Sequence, residues 1–456
     1  MQAAPSQHTA APGTAKSPGH FRWAICGLLF ASVAINYIDR NIIGILKKPL
    51  SDELGWGETD YAHIASGFQL AYAFGYLLGG RFMDWMGVKR GLPLAVLFWS
   101  LAAAAHGLCT YIPLDANVPI SIPWTSISWT IPGTVFGFMA ARVALGLAEG
   151  GNFPGAIKTV AEWFPVKERA LATGLFNAGT NVGAIICPIA VPWMYKAWGW
   201  PMTFYVTGAL GIFWLIAWWW LYDNPEKHRR LSEGERDYIR SGQPQTIEKK
   251  ESVPWLSLLG YRAVWAYLAA SILAGPVWGI YMFFLPDFLQ KKYDLPLVQV
   301  GNWTAVFYLI ASFGGIAGGW LSGRLLTRGW TINAARKISL LACALSVLPI
   351  FLAPHVPSIW LTVIIVGIAG SAHQGWSANL FSFVSDTMPK KAISSVVGLG
   401  GFVAFLTGAF VAELIGVILK KTGSYASIFA AASIMYLLSL TILHLLVPRI
   451  GGKSST

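Results

Sequence analysis

The chain has 456 residues, of which 55% are hydrophobic and 12% are charged. Soluble proteins carry about 25% charged residues, so this composition excludes a soluble enzyme and indicates a polytopic helical membrane protein. The net charge of +12 is explained by basic loops on one side of a membrane, and we expect no nucleic-acid partner. The four cysteines are isolated within apolar runs, which predicts neither a disulfide framework nor a metal site.

Residues 1–20 are rich in Ala, Pro, Ser and Thr and lack periodicity, so we expect a disordered cytoplasmic tail. We do not expect a secretory signal here, because the apolar run that follows is too long and lacks a small-residue cleavage site. Stretches of about 20 apolar residues then predict an all-α fold with twelve transmembrane helices. These spans are 22–46, 60–84, 88–111, 133–162, 170–195, 201–222, 260–289, 299–324, 335–354, 358–385, 393–419 and 424–447.

One long polar stretch divides the predicted helices into two groups of six. We therefore predict an N-terminal bundle at 21–222, a cytoplasmic linker loop at 223–256, a C-terminal bundle at 257–448 and a cytoplasmic tail at 449–456. Glycine-bearing basic turns stand at the same place in each half, GRFMDWMGVKR at 80–90 and GWLSGRLLTRGW at 319–330. Such a repeat is typical of transporters that rock two bundles about a central site.

The positive-inside rule gives an orientation. Most of the 33 Lys and Arg residues fall on one side if both termini and the linker are cytoplasmic. Residues 112–130 then form an external loop.

Four charged residues lie inside the predicted spans: Asp39, Arg40, Arg142 and Glu149. A charge at the bilayer centre costs about 2.5–3.5 kcal/mol on insertion scales, so such residues usually face a polar cavity. They indicate a binding site or path for a charged solute. The alternative is a structural ion pair that pins two helices together.

Several motifs resemble those of a known family. The segment at 80–90 resembles the loop signature GxxxDxxGxR/K of the major facilitator superfamily, although the second copy lacks the central Asp. NYIDR at 36–40 and RVALGLAEGGNFP at 142–154 resemble motifs of its anion:cation symporter branch. Segments 157–165, 176–186 and 373–380 resemble the hexuronate transporters in particular. The resemblance covers roughly residues 20–447.

This resemblance implies a proton-coupled importer of a hexuronate such as glucuronate or galacturonate, working by alternating access in a bacterial inner membrane. Neighbouring branches carry galactonate, glucarate and other organic acids, so a symporter or exchanger of another organic anion is the alternative. Beyond the substrate, the expected partners are protons and the lipid bilayer, and we expect a monomer. No cofactor is expected, the proton being the coupling ion.

Arg40 and Tyr37 lie three residues apart and share a helix face. Because a guanidinium offers a planar fork suited to a carboxylate, we predict that Arg40 binds the substrate carboxylate with Tyr37 as a hydroxyl partner. The alternative is that Arg40 only neutralises Asp39. The resemblance assigns proton coupling to Asp39 and Glu149, and the partner of Glu149 is expected elsewhere in the fold.

Further polar side chains are predicted to line the site. In the first half these are Tyr72, Asn177, Thr180 and Asn181, and in the second half Tyr281, His373, Gln374, Trp376 and Asn379. An aromatic and amide row suits a sugar, with Trp stacking on the ring and amides bonding hydroxyls. Hydrogen bonding between helices is the alternative for each polar residue.

The remaining charged residues are predicted to act in gating. Asp84 and Arg90 would latch the two halves on the cytoplasmic side, while Arg142 and Lys158 would be gates or charge relays. Lys158 is equally expected to extend to the interface. Asp287, near an external helix end, is expected to be solvated. A membrane-embedded enzyme is a remote alternative, because no HExxH or P-loop motif occurs.

Overall fold

The computed structural model describes residues 19–121, 128–240, 255–388 and 393–450. Most of the predicted N-terminal tail, the centre of the linker from 241 to 254 and the end of the C-terminal tail therefore lie outside the described residues.

The first half consists of helices joined by short connections. They are α1 (Phe21–Ile45), α2 (Lys47–Leu54), α3 (Glu58–Met86), α4 (Val88–Leu108), α5 (Gly133–Glu149), α6 (Asn152–Trp163) and α7 (Val166–Leu221), with a 3-10 turn at Cys109–Tyr111. Two short helices follow in the linker region, α8 (Glu233–Arg240) and α9 (Trp255–Leu258).

The second half repeats this organisation. Its helices are α10 (Arg262–Gly279), α11 (Leu285–Tyr293), α12 (Leu297–Ser312), α13 (Gly314–Thr327), α14 (Ile332–Val347), α15 (Ile359–Thr387), α16 (Ile393–Thr422) and α17 (Ala426–Leu446). A π-helical turn, Ile280–Phe284, joins α10 to α11, and a 3-10 turn, Leu348–Leu352, extends α14.

Among the described residues, nine helical stretches are long and apolar enough to cross a membrane. One of them, Ala172–Leu221, contains two predicted spans, because α7 breaks at Gly199 with φ 77°. The left-handed region favours glycine, and this turn reverses the chain between spans five and six. The two other predicted spans correspond to α3, which carries several charges, and to α5 with α6, which are interrupted at Gly150 and Gly151. The twelve-helix, two-bundle fold is thus confirmed.

A β-hairpin that was not predicted from the sequence interrupts the helical pattern. Strands β1 (Asn117–Ser121) and β2 (Ser128–Pro132) pair antiparallel within the stretch predicted as a loop. Val118, Ile120, Trp129 and Ile131 are β-formers, but each strand has five residues, too short for a clear alternating pattern. We call this end of the bundles the hairpin face and the opposite end, which carries α8, the linker face.

The two bundles meet closely at the hairpin face. Helix α3 packs along α16, and α12 packs along α7. At the second contact a Cβ on Gly301 would lie 1.8 Å from the carbonyl oxygen of Pro188, so only glycine allows this approach. Hydrogen bonds also cross the interface from Tyr61 to the carbonyl of Phe283 at 2.7 Å and from Tyr308 to Asn41 at 2.7 Å.

A cluster of charges closes the same face, and we call Lys47, Glu58, Asp287, Lys291 and Tyr425 the hairpin-face cluster. The ammonium of Lys47 lies 2.7 Å from Glu58 and 2.8 Å from Asp287 across the bundle interface. Lys291 pairs with both acids, and the hydroxyl of Tyr425 donates to Asp287. Asp287 is only 2% exposed, so the prediction that it is solvated was wrong. Lys47 of the first bundle and Tyr425 of its own bundle cover it.

At the linker face, α8 docks on the first bundle. The guanidinium of Arg22 lies 2.8 Å from Glu168 and 3.0 Å from Glu235, and the hydroxyl of Tyr238 donates to Glu168 at 2.7 Å. This buried cluster anchors the first part of the linker to the ends of α1 and α7.

Candidate functional site

A central cavity of about 360 Å³ lies between the two bundles, within the range of small-molecule sites. Its polar and aromatic lining includes Tyr37, Arg40, Gln69, Tyr72, Asn177, Thr180, Asn181, Ser271, Trp278, His373, Gln374, Trp376 and Ser377. The cavity extends toward the linker face as far as Phe381 and Val397. Toward the hairpin face the interbundle contacts described above close it.

Nine of the eleven predicted substrate-binding residues line this cavity; they are Tyr37, Arg40, Tyr72, Asn177, Thr180, Asn181, His373, Gln374 and Trp376. The structure brings them together from α1, α3, α7 and α15. Their roles as ligands stay predictions.

The two others lie elsewhere. Tyr281 is fully buried behind Trp278, with the ring centroids 6.2 Å apart. The amide nitrogen of Asn379 donates to the carbonyl oxygens of Gly318 at 3.0 Å and Gly375 at 2.9 Å. Asn379 therefore joins α13 to α15, the helix-packing role that was its alternative, and we leave both residues out of the proposed site.

Arg40 forms the central ion pair of the site. Its Nε and Nη2 donate to Oε2 of Glu149 at 3.2 and 3.0 Å, and Nη2 also donates to Oδ1 of Asn36 at 3.0 Å. The guanidinium lies 4.2 Å from the ring centroid of Tyr72 and 4.9 Å from that of Tyr37, within cation–π range. The partner of Glu149 is therefore Arg40 on α1, 109 residues away, rather than a residue on its own helix.

Asp39 and Arg142 form the other half of a four-charge group. Nη1 of Arg142 donates to the backbone carbonyls of Asp39 at 3.2 Å and Arg40 at 3.4 Å. Among the described residues, neither carboxylate oxygen of Asp39 has a hydrogen-bond partner. Two acids and two bases thus sit deep between α1 and α5 with no net charge when all are ionised. Protonation of either acid would make this group cationic and attractive to an anion.

Of the predicted gating residues, Arg142 lies in this central group, whereas Lys158 and Arg90 lie at the linker face. Lys158 donates to the carbonyl of Met83 at 2.9 Å, near the end of α3, and Arg90 is exposed. The side chain of Asp84 lies outside the described residues. Lys89 pairs with Asp223 at 2.7 Å within the first half, and this hydrogen bond holds the pKa of Asp223 below its ordinary value.

Trp278, an aromatic residue on the second bundle's wall of the cavity, was not predicted from the sequence. Its indole stacks on the imidazole of His373, with centroids 5.0 Å apart and planes 19° apart. Gln69, Ser271 and Ser377 also line the cavity without having been predicted. Trp278 is one of 22 tryptophans, and no sequence pattern separates it from those at the lipid interface.

Residues 29–412 match the family model of the Major Facilitator Superfamily. The chain belongs to this superfamily. It is therefore a multi-pass membrane transporter and not an enzyme, which removes the remote alternative. Within the described residues no cluster of three or more His, Cys, Asp or Glu side chains is placed to hold a metal ion.

Relatives and solved structures agree with this assignment. The chain is 28% identical over 428 residues to the hexuronate transporter of Escherichia coli K12, covering 91% of this chain and 92% of the relative. It is 31% identical over 303 residues to the galacturonate transporter of Dickeya chrysanthemi, covering 66% and 81%. A crystal structure of a D-xylose–proton symporter superposes with a TM-score of 0.71 at 14% identity, covering 94% of this chain and 98% of the other. At that identity the last comparison supports the fold alone.

Proposed function

We propose that this transporter imports a sugar acid together with protons, and that its substrate is a hexuronate such as glucuronate or galacturonate. The observation that carries this proposal is the ion pair that Arg40, which lines the cavity, forms with the buried Glu149. A substrate carboxylate and Glu149 compete for the same guanidinium. The names of the relatives in Escherichia coli and Dickeya chrysanthemi support the substrate class.

Competition at Arg40 gives a physical route to coupling. With Glu149 ionised, the guanidinium is neutralised and a second carboxylate gains little from it. A proton on Glu149 weakens the pair and leaves the fork of Arg40 for the substrate carboxylate. Substrate binding then favours the protonated state of Glu149, and loss of that proton weakens substrate binding. This reciprocity is what thermodynamic linkage requires.

Asp39 is the proposed second proton site. Its carboxylate is 1% exposed and hydrogen-bonds to no described group. A buried ionised carboxylate without hydrogen bonds is costly, so a proton is stabilised there. Moving one negative charge into a negative-inside cell costs about 2.3 kcal/mol per 100 mV. One proton makes the step neutral, and two let the membrane potential drive uptake.

The orientation in the membrane and the conformational state are part of the same proposal. We place the linker face in the cytoplasm of a bacterial inner membrane, with the bundles at 21–222 and 257–448 joined by the linker. With the hairpin face closed and the cavity extending toward the linker face, this arrangement is the inward-facing state. Since one chain encloses the whole cavity, we propose that the monomer transports.

The proposal is tested by uptake of labelled glucuronate and galacturonate into vesicles that contain the purified protein, under an imposed inward proton gradient. We expect accumulation that a protonophore abolishes. Asp39→Asn should lose accumulation but keep exchange of labelled for unlabelled substrate. Accumulation that survives the protonophore would reject proton coupling, and transport of neither acid by folded protein would reject the substrate.

A further inference from the structure

The wall of the central cavity formed by the second bundle contains a stacked pair, Trp278 on α10 and His373 on α15. Nδ1 of His373 lies 2.6 Å from the hydroxyl of Tyr436, and Nε2 lies 3.5 Å from the hydroxyl of Ser377. His373 is 8% exposed, and both ring nitrogens contact hydroxyl groups of its own bundle. Its face supports the indole of Trp278 from behind.

Other rings fix the position of Trp278. Tyr281, Phe307 and Tyr308 pack around it, with ring centroids 6.2, 6.5 and 6.3 Å away. Trp278 itself is half-buried and lines the cavity. The result is a flat apolar surface that presents an indole to the substrate and has little freedom to move.

Such a surface distinguishes a sugar ring from an open chain. The face of an indole carries partial negative charge and attracts the C–H bonds on the flat side of a pyranose. An open-chain polyol has no preformed flat side, and holding one in place costs about 0.5–1.5 kcal/mol for each ordered flexible group. A cyclic uronate therefore gains more from Trp278 than an aldonate with the same charge.

The charge of the cavity adds a second restriction. Among the described residues that line it, Arg40 is the only one with a permanent charge. One carboxylate can be paired there, whereas a second carboxylate on the same molecule would enter a partly apolar cavity without a cation, which is costly. Dicarboxylic aldarates should therefore bind poorly.

We propose that Trp278, supported by His373, is the sugar-ring platform of the site and that, with Arg40 as the single cation, it selects cyclic monocarboxylates over open-chain aldonates and aldarates. This inference rests on the proposed function, because it places a sugar acid in the central cavity. It adds the residue that decides which sugar acid is bound.

Four probes distinguish the contribution of the sugar ring from that of the carboxylate in binding measurements on the purified protein. Glucuronate has a ring and one carboxylate, gluconate one carboxylate without a ring, galactarate two carboxylates without a ring, and glucose a ring without a carboxylate. We expect glucuronate to bind at least tenfold more tightly than each of the others. Equal binding of gluconate or galactarate by wild-type protein overturns the inference but leaves sugar-acid transport standing. Binding of none of the three acids contradicts the proposed function itself.

Variants then test the platform directly. Trp278→Ala should weaken glucuronate binding about tenfold, which corresponds to about 1.4 kcal/mol, and change gluconate binding less than twofold. Trp278→Phe keeps a smaller ring in the core and should give an intermediate loss. Trp360→Ala is the matched control, since this tryptophan of the same bundle is 63% exposed and does not line the cavity. If folded Trp278→Phe and Trp278→Ala proteins lose glucuronate and gluconate binding equally, Trp278 is a packing residue and the inference is wrong.

Discussion

The two bundles form opposite walls of one cavity, and the two walls differ in chemistry. The first contributes Arg40, and behind it Asp39, Arg142 and Glu149, all at most 3% exposed. The second contributes Trp278, His373, Gln374 and Ser377. In the described part of the second bundle, the deeply buried acid Asp287 lies at the hairpin face instead of the cavity.

This difference separates two tasks that a coupled transporter must perform. Under the proposed function, charges and protons are handled where two guanidinium groups can neutralise two carboxylates. The uncharged part of the substrate would then contact a wall of rings, amides and hydroxyls. Variants on the first wall should therefore change whether and how transport is driven, and variants on the second should change what is transported.

The largest effect is expected from Arg40→Ala. This change removes the cation of the cavity and leaves Glu149 buried without its partner. Breaking a buried ion pair on one side typically costs about 3–5 kcal/mol, so the melting temperature should fall together with uptake, which should drop to the level of empty vesicles. Thermal unfolding and uptake are measured on the same preparation.

The double variant Arg40→Ala/Glu149→Gln separates the two effects of that change. It removes the unpaired carboxylate, so stability should recover while uptake stays absent. Recovery of uptake would mean that Arg40 only pins the helices, which is the structural alternative for this ion pair.

Glu149→Gln by itself should change coupling rather than binding. The amide keeps the shape of the protonated acid and leaves Arg40 available at every pH. Wild-type protein should bind substrate more weakly as pH rises, because ionised Glu149 competes for Arg40, and the variant should lose this dependence. Exchange of labelled for unlabelled substrate should persist, whereas gradient-driven accumulation should be lost.

Glu233→Gln on the exposed surface of α8 is the control for that experiment. It should behave as wild type in both assays. A Glu149→Gln protein that still accumulates substrate would move coupling to Asp39 alone.

Variants of the hairpin-face cluster test whether the buried charge of Asp287 on the second bundle helps to keep the hairpin face closed. Lys47→Met leaves Asp287 with Lys291 as its remaining cation, so the closed hairpin face should be destabilised and its open state more populated. Spin labels on cysteines introduced at Leu114 and Val298, both exposed on this face, should report longer distances. Lys48→Met is the control, because its pair with Asp52 is solvent-exposed on both sides. Unchanged distances would mean that the cluster does not hold the face closed.

The sequence predicted the spans well because each one needs its own apolar run. It placed the break near residue 199 and the division into two halves, since both follow from local composition. It also located the charged residues, because charges within apolar segments stand out. The hairpin was missed, since five-residue strands leave little periodic signal.

The ion pairs between residues on different helices could not be predicted from the sequence. Arg40 and Asp39 are neighbours in the chain, yet Arg40 pairs with Glu149 on another helix. Asp287 was expected to be solvated, but only the arrangement of both bundles decides that Lys47 covers it. Trp278 stacks on His373, which lies 95 residues later in the chain. Only the tertiary structure shows that the two rings are close in space.

The smallest effect is expected at the linker face, where Lys89→Met removes the partner of Asp223. Both side chains are more than a third exposed, and exposed pairs contribute at most about 1 kcal/mol. The Lys89 hydrogen bond lowers the pKa of Asp223, so its stabilisation is fully present above the unfolded value of about 3.9 and is lost as pH falls through the lowered value. Thermal unfolding should therefore separate wild type from Lys89→Met slightly at neutral pH and not at all below that pKa, with exposed Lys227→Met unchanged throughout. A large loss of uptake in Lys89→Met would instead mean that the turn at 80–90 moves during transport and that charge outside the cavity also drives the cycle.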